Sequence, residues 1–345
     1  MSRRLLVVQT AFLGDIVLTT PLLSALKRAH PGSTTTLITT PLGKALLAGH
    51  PDVDEIVVHD KRGKDRGIRG VLRAVRALRA KHFDIAIAAQ RSARTGLLVR
   101  GSGAPLRIGF EKAAGAWAYT DRVPWRKDEH AVKRYLALAA PAGADPATAD
   151  PTPSLPVRDA SRMKVDALLE AQGIGPDEPI LAVAPGSIWG TKRWTPSGFA
   201  EVIRDAPRFG LSPVLTGSPD EEALCREVAK LSGVDVPVLA GSTGLPELVA
   251  LVARAKALVC GDSGPGHVAS AVRTPVVAIF GPTVPAFGYT PWGERNVIVE
   301  RVGLSCRPCD AHGPQVCPLG HHRCMTEIGA AEVVAALAPV SQRAR

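Results

Sequence analysis

The chain has 345 residues and a formal net charge of +10, with 46% hydrophobic and 21% charged residues. At roughly 150 residues per domain this length predicts two domains, and the globular composition excludes a disordered or collagen-like chain. No run of about 18 uninterrupted apolar residues is present, so the sequence predicts no membrane span.

The amino terminus resembles a secretory signal, because Arg3 and Arg4 precede an apolar run. Asp15 would fall inside the hydrophobic region of such a signal, and the Thr-Thr-Pro that follows is a poor cleavage site. The residues favour a buried strand over 5–9 and a turn at Gly14. We therefore predict a cytoplasmic protein.

The first half of the chain alternates strand patterns with helix patterns, as in βαβ units that build a parallel sheet. The predicted strands are 5–9, 35–39, 55–58 and 84–88, and the predicted helices are 16–28 and 68–79. This alternation stops at 141–153, where four prolines lie among small residues. We predict a linker there.

The predicted helix 68–79 lies in the most basic part of the chain. Residues 61–81 contain one acid, Asp65, and nine cations: Lys61, Arg62, Lys64, Arg66, Arg69, Arg73, Arg76, Arg79 and Lys81. Apolar residues recur at helical spacing, which leaves Arg69, Arg73 and Arg76 on another face. This basic face suits an anionic surface, and a solvated helix face is the alternative. Nucleic acid is disfavoured, because no zinc-finger, RRM or basic-zipper signature is present and only 4% of residues are aromatic.

The alternation resumes after the linker and predicts a second α/β domain. The predicted strands are 180–184, 213–216, 257–260 and 276–280, and the predicted helices are 196–204, 221–231, 245–254 and 265–272. We therefore predict two doubly wound, Rossmann-like domains facing each other, over 1–155 and 156–330, with 331–345 as a C-terminal helix or tail. Ligands of such sheets bind beyond the carboxyl ends of the strands, which directs attention to four loops, 10–15, 185–192, 217–222 and 261–267.

The first of these loops ends in a carboxylate, Asp15. A general base at the mouth of a cleft is one interpretation, and a helix N-cap is the other. The loop lacks the G-x-G-x-x-G spacing that binds dinucleotide phosphates, so a nicotinamide cofactor is disfavoured.

Two loops of the second half have compositions that suit phosphate. Residues 185–194 place hydroxyls, glycines, Lys192 and Arg193 after a strand, although no Walker A motif is present. Residues 260–267 place small residues between a strand and a helix start, whose N–H groups favour an anion such as a diphosphate. The alternatives are an exposed loop for the first, and a cap at Asp262 with a structural histidine at His267 for the second.

Four of the six cysteines fall within nineteen residues near the carboxyl terminus: Cys306, Cys309, Cys317 and Cys324. The first pair has the C-x2-C spacing of metal ligands, but the second pair does not repeat it. Structural zinc, an iron–sulfur cluster, disulfides and reduced thiols all stay open. The other two, Cys225 and Cys260, are predicted to be buried.

Several of these motifs occur together in a known family. The chain resembles glycosyltransferase family nine, the ADP-heptose:lipopolysaccharide heptosyltransferases, in 9–15, 185–194, 217–222, 261–267 and 280–283. Residues 306–324, which include the run Cys-Pro-Leu-Gly-His, are most like the heptosyltransferase II branch.

The resemblance implies a GT-B fold, with the acceptor on the first domain and the nucleotide sugar on the second. It implies an inverting transferase that needs no metal, in which Asp15 takes the proton of the acceptor hydroxyl and Lys192 stabilises the departing ADP. It also implies a set of donor-site residues: Ser187, Lys192, Glu222, Asp262, Ser263, Gly264 and His267. The acceptor, the phosphorylated or acidic inner core of lipopolysaccharide, would bring the protein to the cytoplasmic face of the inner membrane, where Arg69, Arg73 and Arg76 would act.

The chain departs from the family pattern in two places. Ser263-Gly264 stands where the family often has Thr-Gly, which keeps the hydroxyl, and Arg-Ser-Ala follows Gln90 in place of a Gly-Leu pattern. One alternative is a transferase of the same family with another nucleotide sugar or acceptor. A zinc-stabilised binding protein for anionic polymers is a second alternative, but it would give Asp15 no role.

Overall fold

The structure is a computed structural model that describes residues 2–341. The chain divides into two compact units, Met1–Pro156 and Val157–Arg345. The predicted linker, 141–153, lies within the first unit, where His30 Nε2 lies 2.7 Å from the carbonyl oxygen of Ala142. Among residues 2–341, no helix is both long enough and apolar enough to cross a membrane.

The first unit is a parallel sheet of six strands with helices between them. The strands are β1 (Arg4–Gln9), β2 (Thr34–Thr39), β3 (Glu55–Val58), β4 (Ile85–Ala88), β5 (Leu106–Phe110) and β6 (Asp121–Val123). The helices are α1 (Leu13–Leu18), α2 (Thr20–Ala29), α3 (Pro41–Leu47), α4 (Gly67–Arg79), α5 (Ala93–Gly101) and α6 (Ala131–Ala137). The strand order is β3-β2-β1-β4-β5-β6, so the winding direction reverses between β1 and β4.

The predicted helix 16–28 is wrong in one respect, because the structure divides this region into α1 and α2. Pro21 has no N–H to donate to the carbonyl of Val17, four residues earlier. The hydroxyl of Thr20 donates to that carbonyl instead, at 2.8 Å. The break ends α1 at Leu18. This short helix lies directly after the carboxyl end of β1 in the chain.

Helix α4 confirms the predicted basic helix but buries only part of its apolar stripe. Val71 and Leu78 are buried, whereas Ile68 and Leu72 are 63% and 49% exposed. At Gly70 a Cβ atom would lie 2.1 Å from the carbonyl oxygen of Asp65, so the glycine side of the helix packs against the preceding turn. This packing leaves Ile68 and Leu72 exposed.

The second unit is a parallel sheet of five strands. The strands are β7 (Ile180–Ala184), β8 (Ser212–Leu215), β9 (Ala257–Gly261), β10 (Val276–Phe280) and β11 (Val297–Glu300). The helices are α7 (Asp159–Glu170), α8 (Pro196–Asp205), α9 (Glu222–Ser232), α10 (Leu245–Arg254), α11 (Gly264–Ala271), α12 (Arg323–Thr326) and α13 (Ala330–Ser341). The order β11-β10-β9-β7-β8 reverses between β7 and β9.

The last helix belongs to the core of the second unit. Val333, Leu337 and Val340 of α13 are buried in one apolar cluster with residues of α8 and β10. Helix α13, in the region predicted as a C-terminal helix or tail, thus contributes to the core of this unit as far as Val340.

Candidate functional site

The loops that follow β1 and β4 meet at the reversal point of the first sheet. Thr10, directly after β1, donates from its hydroxyl to Gln90 Oε1 at 2.7 Å, and Gln90 follows β4. Ligands of open α/β sheets bind at this kind of reversal point. The geometry of the first unit thus points to the loop that carries Asp15.

Asp15 does not cap helix α1. The helix begins at Leu13 with Phe12 as its N-cap residue, which contradicts the cap interpretation of Asp15. The carboxylate instead accepts a hydrogen bond at Oδ1 from the hydroxyl of Tyr135, at 2.6 Å. Tyr135 lies on α6 and is only 3% exposed, so the contact is held by a side chain with little freedom to move.

The basic segment begins next to this carboxylate. Burial lowers the pKa of Lys61, and the charges of Arg62 and Arg94 lower it further, whereas the charge of Asp15 acts in the opposite direction. The guanidinium of Arg62 lies 5.9 Å from the centre of the Phe12 ring, in the same loop as Asp15. Lys61 and Arg62 therefore bring two cations close to the loop that carries Asp15.

The three arginines predicted for the acceptor side have different environments. Arg73 donates to Asp65 Oδ1 from Nε at 3.2 Å and from a terminal nitrogen at 2.5 Å, so its charge is matched by an acid of the same segment. Burial acts to raise the pKa of Asp65, but hydrogen bonds from Arg73 and from the backbone of Asp60 lower it overall. Arg69 and Arg76 are exposed.

A buried ion pair spans the reversal point of the second sheet. Lys192 Nζ donates to Asp262 Oδ2 at 2.5 Å, and both side chains are about one-tenth exposed. Lys192 lies after β7 and Asp262 lies after β9. The hydroxyl of Thr283, after β10, donates to the same Oδ2 at 2.6 Å. Three strand ends thus meet at one carboxylate oxygen.

The backbone beneath this pair is tightly packed. A Cβ atom at Gly261 would lie 2.7 Å from the carbonyl oxygen of Lys192, so only glycine allows β9 to approach the Lys192 loop this closely. Helix α11 begins at Gly264 with Ser263 as its N-cap residue, which contradicts the cap interpretation of Asp262. His267 lies on this helix and is 7% exposed.

The remaining predicted donor residues are placed differently. Ser187 is buried in the loop after β7, and its carbonyl accepts a hydrogen bond from Arg193 Nε at 2.9 Å. Glu222 is the first residue of α9 and pairs with Arg226 one turn later, at 2.7 Å. The structure therefore brings Lys192, Asp262 and Thr283 into direct contact, whereas Glu222 has an arginine partner of its own.

Residues 306–324, the cysteine segment, support the Lys192 loop. The side chain of Gln315 accepts from the backbone N–H of Gly190 at 3.1 Å and donates to the carbonyl of Ile188 at 3.0 Å. His322 Nε2 lies 2.8 Å from the carbonyl oxygen of Thr191.

The same segment also supports the Thr283 loop. The backbone N–H of Cys309 donates to the carbonyl of Pro282 at 2.9 Å, and Arg307 donates to the carbonyl of Thr283 at 2.8 Å. The cysteine segment therefore holds two of the three loops that meet at Asp262.

All six cysteines are free thiols in the structure. Cys225 and Cys260 are buried as predicted, and burial raises the pKa of each to about 12. Burial also raises the pKa of Cys324 to about 11, whereas four backbone N–H groups, including that of His322, outweigh burial at Cys317 and lower its pKa. Within residues 2–341, no three His, Cys, Asp or Glu side chains are placed to hold a metal ion together.

We predict that the cysteine segment has a structural role. The double variant Cys306→Ala, Cys309→Ala is expected to melt at a lower temperature, because it removes the Cys309 thiol that donates to the carbonyl of Cys306 at 3.3 Å in the segment that supports the Lys192 and Thr283 loops. A loss of about 1 kcal/mol would lower the melting temperature by about 2–4 °C. Val316→Ser, at a residue 76% exposed in the same segment, is the control.

Mass spectrometry of the native protein decides which thiol chemistry applies. Bound zinc or iron would identify a metal site, whereas four free thiols without bound metal would exclude one. An unchanged melting temperature of the double variant would contradict the structural role.

Sequence reasoning missed the contact partner of Asp15. Tyr135 lies in a region for which no element was predicted, and nothing in its neighbourhood marks it as a site residue. Thr283 belongs to a run that the resemblance includes, and the structure shows what this residue contacts.

Comparisons with known proteins show which family the chain belongs to. The sequence profile of glycosyltransferase family 9 (heptosyltransferase) matches residues 71–317. Lipopolysaccharide heptosyltransferase 3 of Escherichia coli K12 is 30% identical over 295 residues, which cover 83% of this chain and 84% of that protein.

Two solved structures share the fold over almost their whole length. A glycosyl transferase of family 9 from Veillonella parvula has a TM-score of 0.87 and 24% identity, covering 99% of this chain and 98% of its own. The ADP-heptose heptosyltransferase II of E. coli has a TM-score of 0.77 and 23% identity, covering 98% of each chain. These likenesses confirm the predicted GT-B fold class of two Rossmann-like domains.

The finer assignment to the heptosyltransferase II branch stays a prediction, because proteins named heptosyltransferase 3 and heptosyltransferase II both match. The profile covers well over half of the chain, and its relatives agree with it. On this match, and with the doubly wound sheet that each unit contains, this chain belongs to glycosyltransferase family 9 and is a glycosyltransferase.

Proposed function

We propose that this enzyme transfers heptose from ADP-heptose to the inner core of lipopolysaccharide, with inversion at the anomeric carbon and without a catalytic metal. The observation that carries the proposal is the group formed by Lys192, Asp262 and Thr283 at the carboxyl ends of three strands. The relatives named as lipopolysaccharide heptosyltransferases support the sugar and the acceptor.

The donor diphosphate would bind beside Lys192. Its ammonium group has three N–H donors, and the bond to Asp262 fixes its position. The N-terminal turn of α11 adds backbone N–H groups at Gly264, which favour an anion. As the bond between the anomeric carbon and ADP breaks, negative charge grows on the diphosphate, and these fixed donors stabilise it.

The acceptor hydroxyl would be activated by Asp15. Its oxygen forms a bond to the anomeric carbon while the bond to ADP breaks on the opposite face, and its proton passes to the Asp15 carboxylate. The hydrogen bond from Tyr135 holds that carboxylate in one orientation. Protein groups thus supply both the base and the stabilisation of the leaving group, which is consistent with catalysis without a metal.

The acceptor side of the proposal places the enzyme at the cytoplasmic face of the inner membrane. Lipid A and the inner core carry phosphates or acidic sugars, and the cations that begin at Lys61 next to Asp15 suit such an acceptor. Arg69 and Arg76 are exposed to meet that surface, whereas Arg73 is already paired with Asp65.

Tyr135→Phe is expected to lower kcat about tenfold and to leave the KM for the donor unchanged. The variant removes one hydrogen bond to a charged group, which contributes about 1.5 kcal/mol. It also removes a bond that favours the ionised carboxylate, so we expect the acidic limb of the pH–rate profile to move to higher pH.

Tyr119→Phe is the matched control for this variant. Tyr119 is buried in the same unit, and its hydroxyl has no hydrogen-bond partner within the described residues. Equal kinetics for both variants would show that Tyr135 does not position Asp15.

Titration calorimetry in the presence of a chelator tests the donor site. We expect ADP to bind and NAD to bind far more weakly, because no dinucleotide fingerprint is present. Incubation with ADP-heptose and a core acceptor should then give a product whose anomeric configuration, measured by NMR, is inverted. A requirement for added metal or retention of configuration would contradict the mechanism.

A further inference from the structure

We propose that Ile68 and Leu72 of helix α4 insert into the surface of an anionic lipid bilayer and seat the first unit on the membrane. This proposal rests on the proposed function for the identity of the acceptor. It assigns the membrane contact to two apolar side chains together with the arginines.

The first observation is the exposure of this pair. Ile68 and Leu72 are 63% and 49% exposed, and they stand four residues apart, so they are neighbours on one helix face. Single exposed apolar residues are common on protein surfaces. Two large ones side by side, on a helix already anchored by Val71 and Leu78, form an apolar patch that the described part of the chain does not cover.

The second observation is the charge around the patch. Nine cations and one acid occupy residues 61–81, and the acid, Asp65, is bound by Arg73. Exposed Arg69 and Arg76 lie on the same helix as the apolar pair. An apolar centre with a cationic border is the pattern of helices that lie in the membrane interface. Anionic phospholipid offers both phosphate and acyl chain, whereas nucleic acid has no counterpart for the apolar pair.

The third observation is the position of the segment relative to Asp15. Lys61 interacts electrostatically with Asp15, and Arg62 stacks over Phe12 in the Asp15 loop. The chain then runs directly from Lys61 to α4, which begins at Gly67. A bilayer that holds α4 would therefore hold its own lipid-anchored sugars near the first unit's candidate base.

Three variants separate insertion from simple charge attraction. Ile68→Gln, Leu72→Gln removes the apolar pair and keeps residues of good helix propensity. Arg69→Gln, Arg76→Gln removes two cations. Met163→Gln, Leu231→Gln is the matched control, because these residues are 66% and 47% exposed in the second unit. Melting curves check that each variant is folded.

The measurement is co-sedimentation with vesicles of phosphatidylethanolamine and phosphatidylglycerol, at about 0.05 M and about 0.5 M salt. We expect the apolar variant to lose at least about tenfold in partitioning at both salt concentrations, because insertion is not screened. The arginine variant should lose about thirtyfold at low salt and much less at high salt. The control should partition like the wild type.

Equal partitioning of the apolar variant and the wild type at both salt concentrations would overturn the proposal. So would a wild type that is dimeric by light scattering and an apolar variant that is monomeric with unchanged vesicle binding, because the patch would then join two copies of the chain.

Transfer to a delipidated, water-soluble core acceptor separates this proposal from the proposed function. The apolar variant should turn over that acceptor at the wild-type rate. If neither the wild type nor any variant transfers heptose to it while vesicle binding still depends on Ile68 and Leu72, the proposed function fails and the membrane contact stands.

Discussion

Asp15→Asn is expected to lower kcat for sugar transfer by about 10²–10⁴-fold, the usual contribution of a general base. The amide keeps the size of the side chain and can still accept a hydrogen bond from Tyr135, which now lies 2.6 Å from the carboxylate. It cannot take a proton from the acceptor hydroxyl. ADP affinity should stay within a few-fold, because the base acts on the acceptor and does not hold the donor.

Asp128→Asn, at an exposed residue of the same unit, is the control for loss of one negative charge. Steady-state kinetics and calorimetry with ADP give the two readouts. Retained turnover would exclude Asp15 as the base, and a large loss of ADP affinity would make Asp15 a donor ligand.

Lys192→Ala is expected to lower kcat/KM. The loss of transition-state stabilisation should be about 2–4 kcal/mol, the range for one lost donor that is directed at developing charge. The donor should also bind more weakly, because the ammonium group is directed at the diphosphate. The variant leaves the Asp262 carboxylate with Thr283 but without its cation, 2.5 Å away in the wild type.

The loss of a partner for a buried carboxylate also predicts a loss of stability, about 1–3 kcal/mol. Kinetics must therefore be measured well below the melting temperature, with the folded fraction determined by circular dichroism. Lys230→Ala, at an exposed lysine of the same unit, should change neither property. Unchanged kinetics for Lys192→Ala would make Lys192 a purely structural residue.

The sequence predicted the exact bounds of several elements that are mostly buried. The strands 180–184 and 276–280 and the helix 245–254 are confirmed to the residue, because long apolar runs end at prolines, glycines or charges. Strands β5, β6 and β11 were missed. Arg107 and Gly109 interrupt the apolar residues of β5, β6 has only three residues, and the apolar run of β11 is only three residues long.

The candidate site likewise has some features that the sequence predicted and others that it could not predict. The loops could be found from the sequence, because the carboxyl ends of parallel strands carry the ligands of such sheets. The contact between Tyr135 and Asp15 could not be found, because it joins residues 120 positions apart through the packing of α6. The exposure of Ile68 and Leu72 depends on how Gly70 packs, which helical spacing alone does not reveal.

The cysteine segment has a consequence for the order in which the second unit can form. Its hydrogen bonds join Gly190 and Thr191 to Gln315 and His322, across more than 120 residues. Contacts of such long range close late, because the loop between them must first be ordered. Strands β7 to β10 precede the cysteine segment in the chain and can pair without it, but the Lys192 loop lacks its support until His322 has been added. The geometry around Lys192 is thus a property of the nearly finished chain, and a nascent chain that ends before the cysteine segment would have the sheet without this geometry.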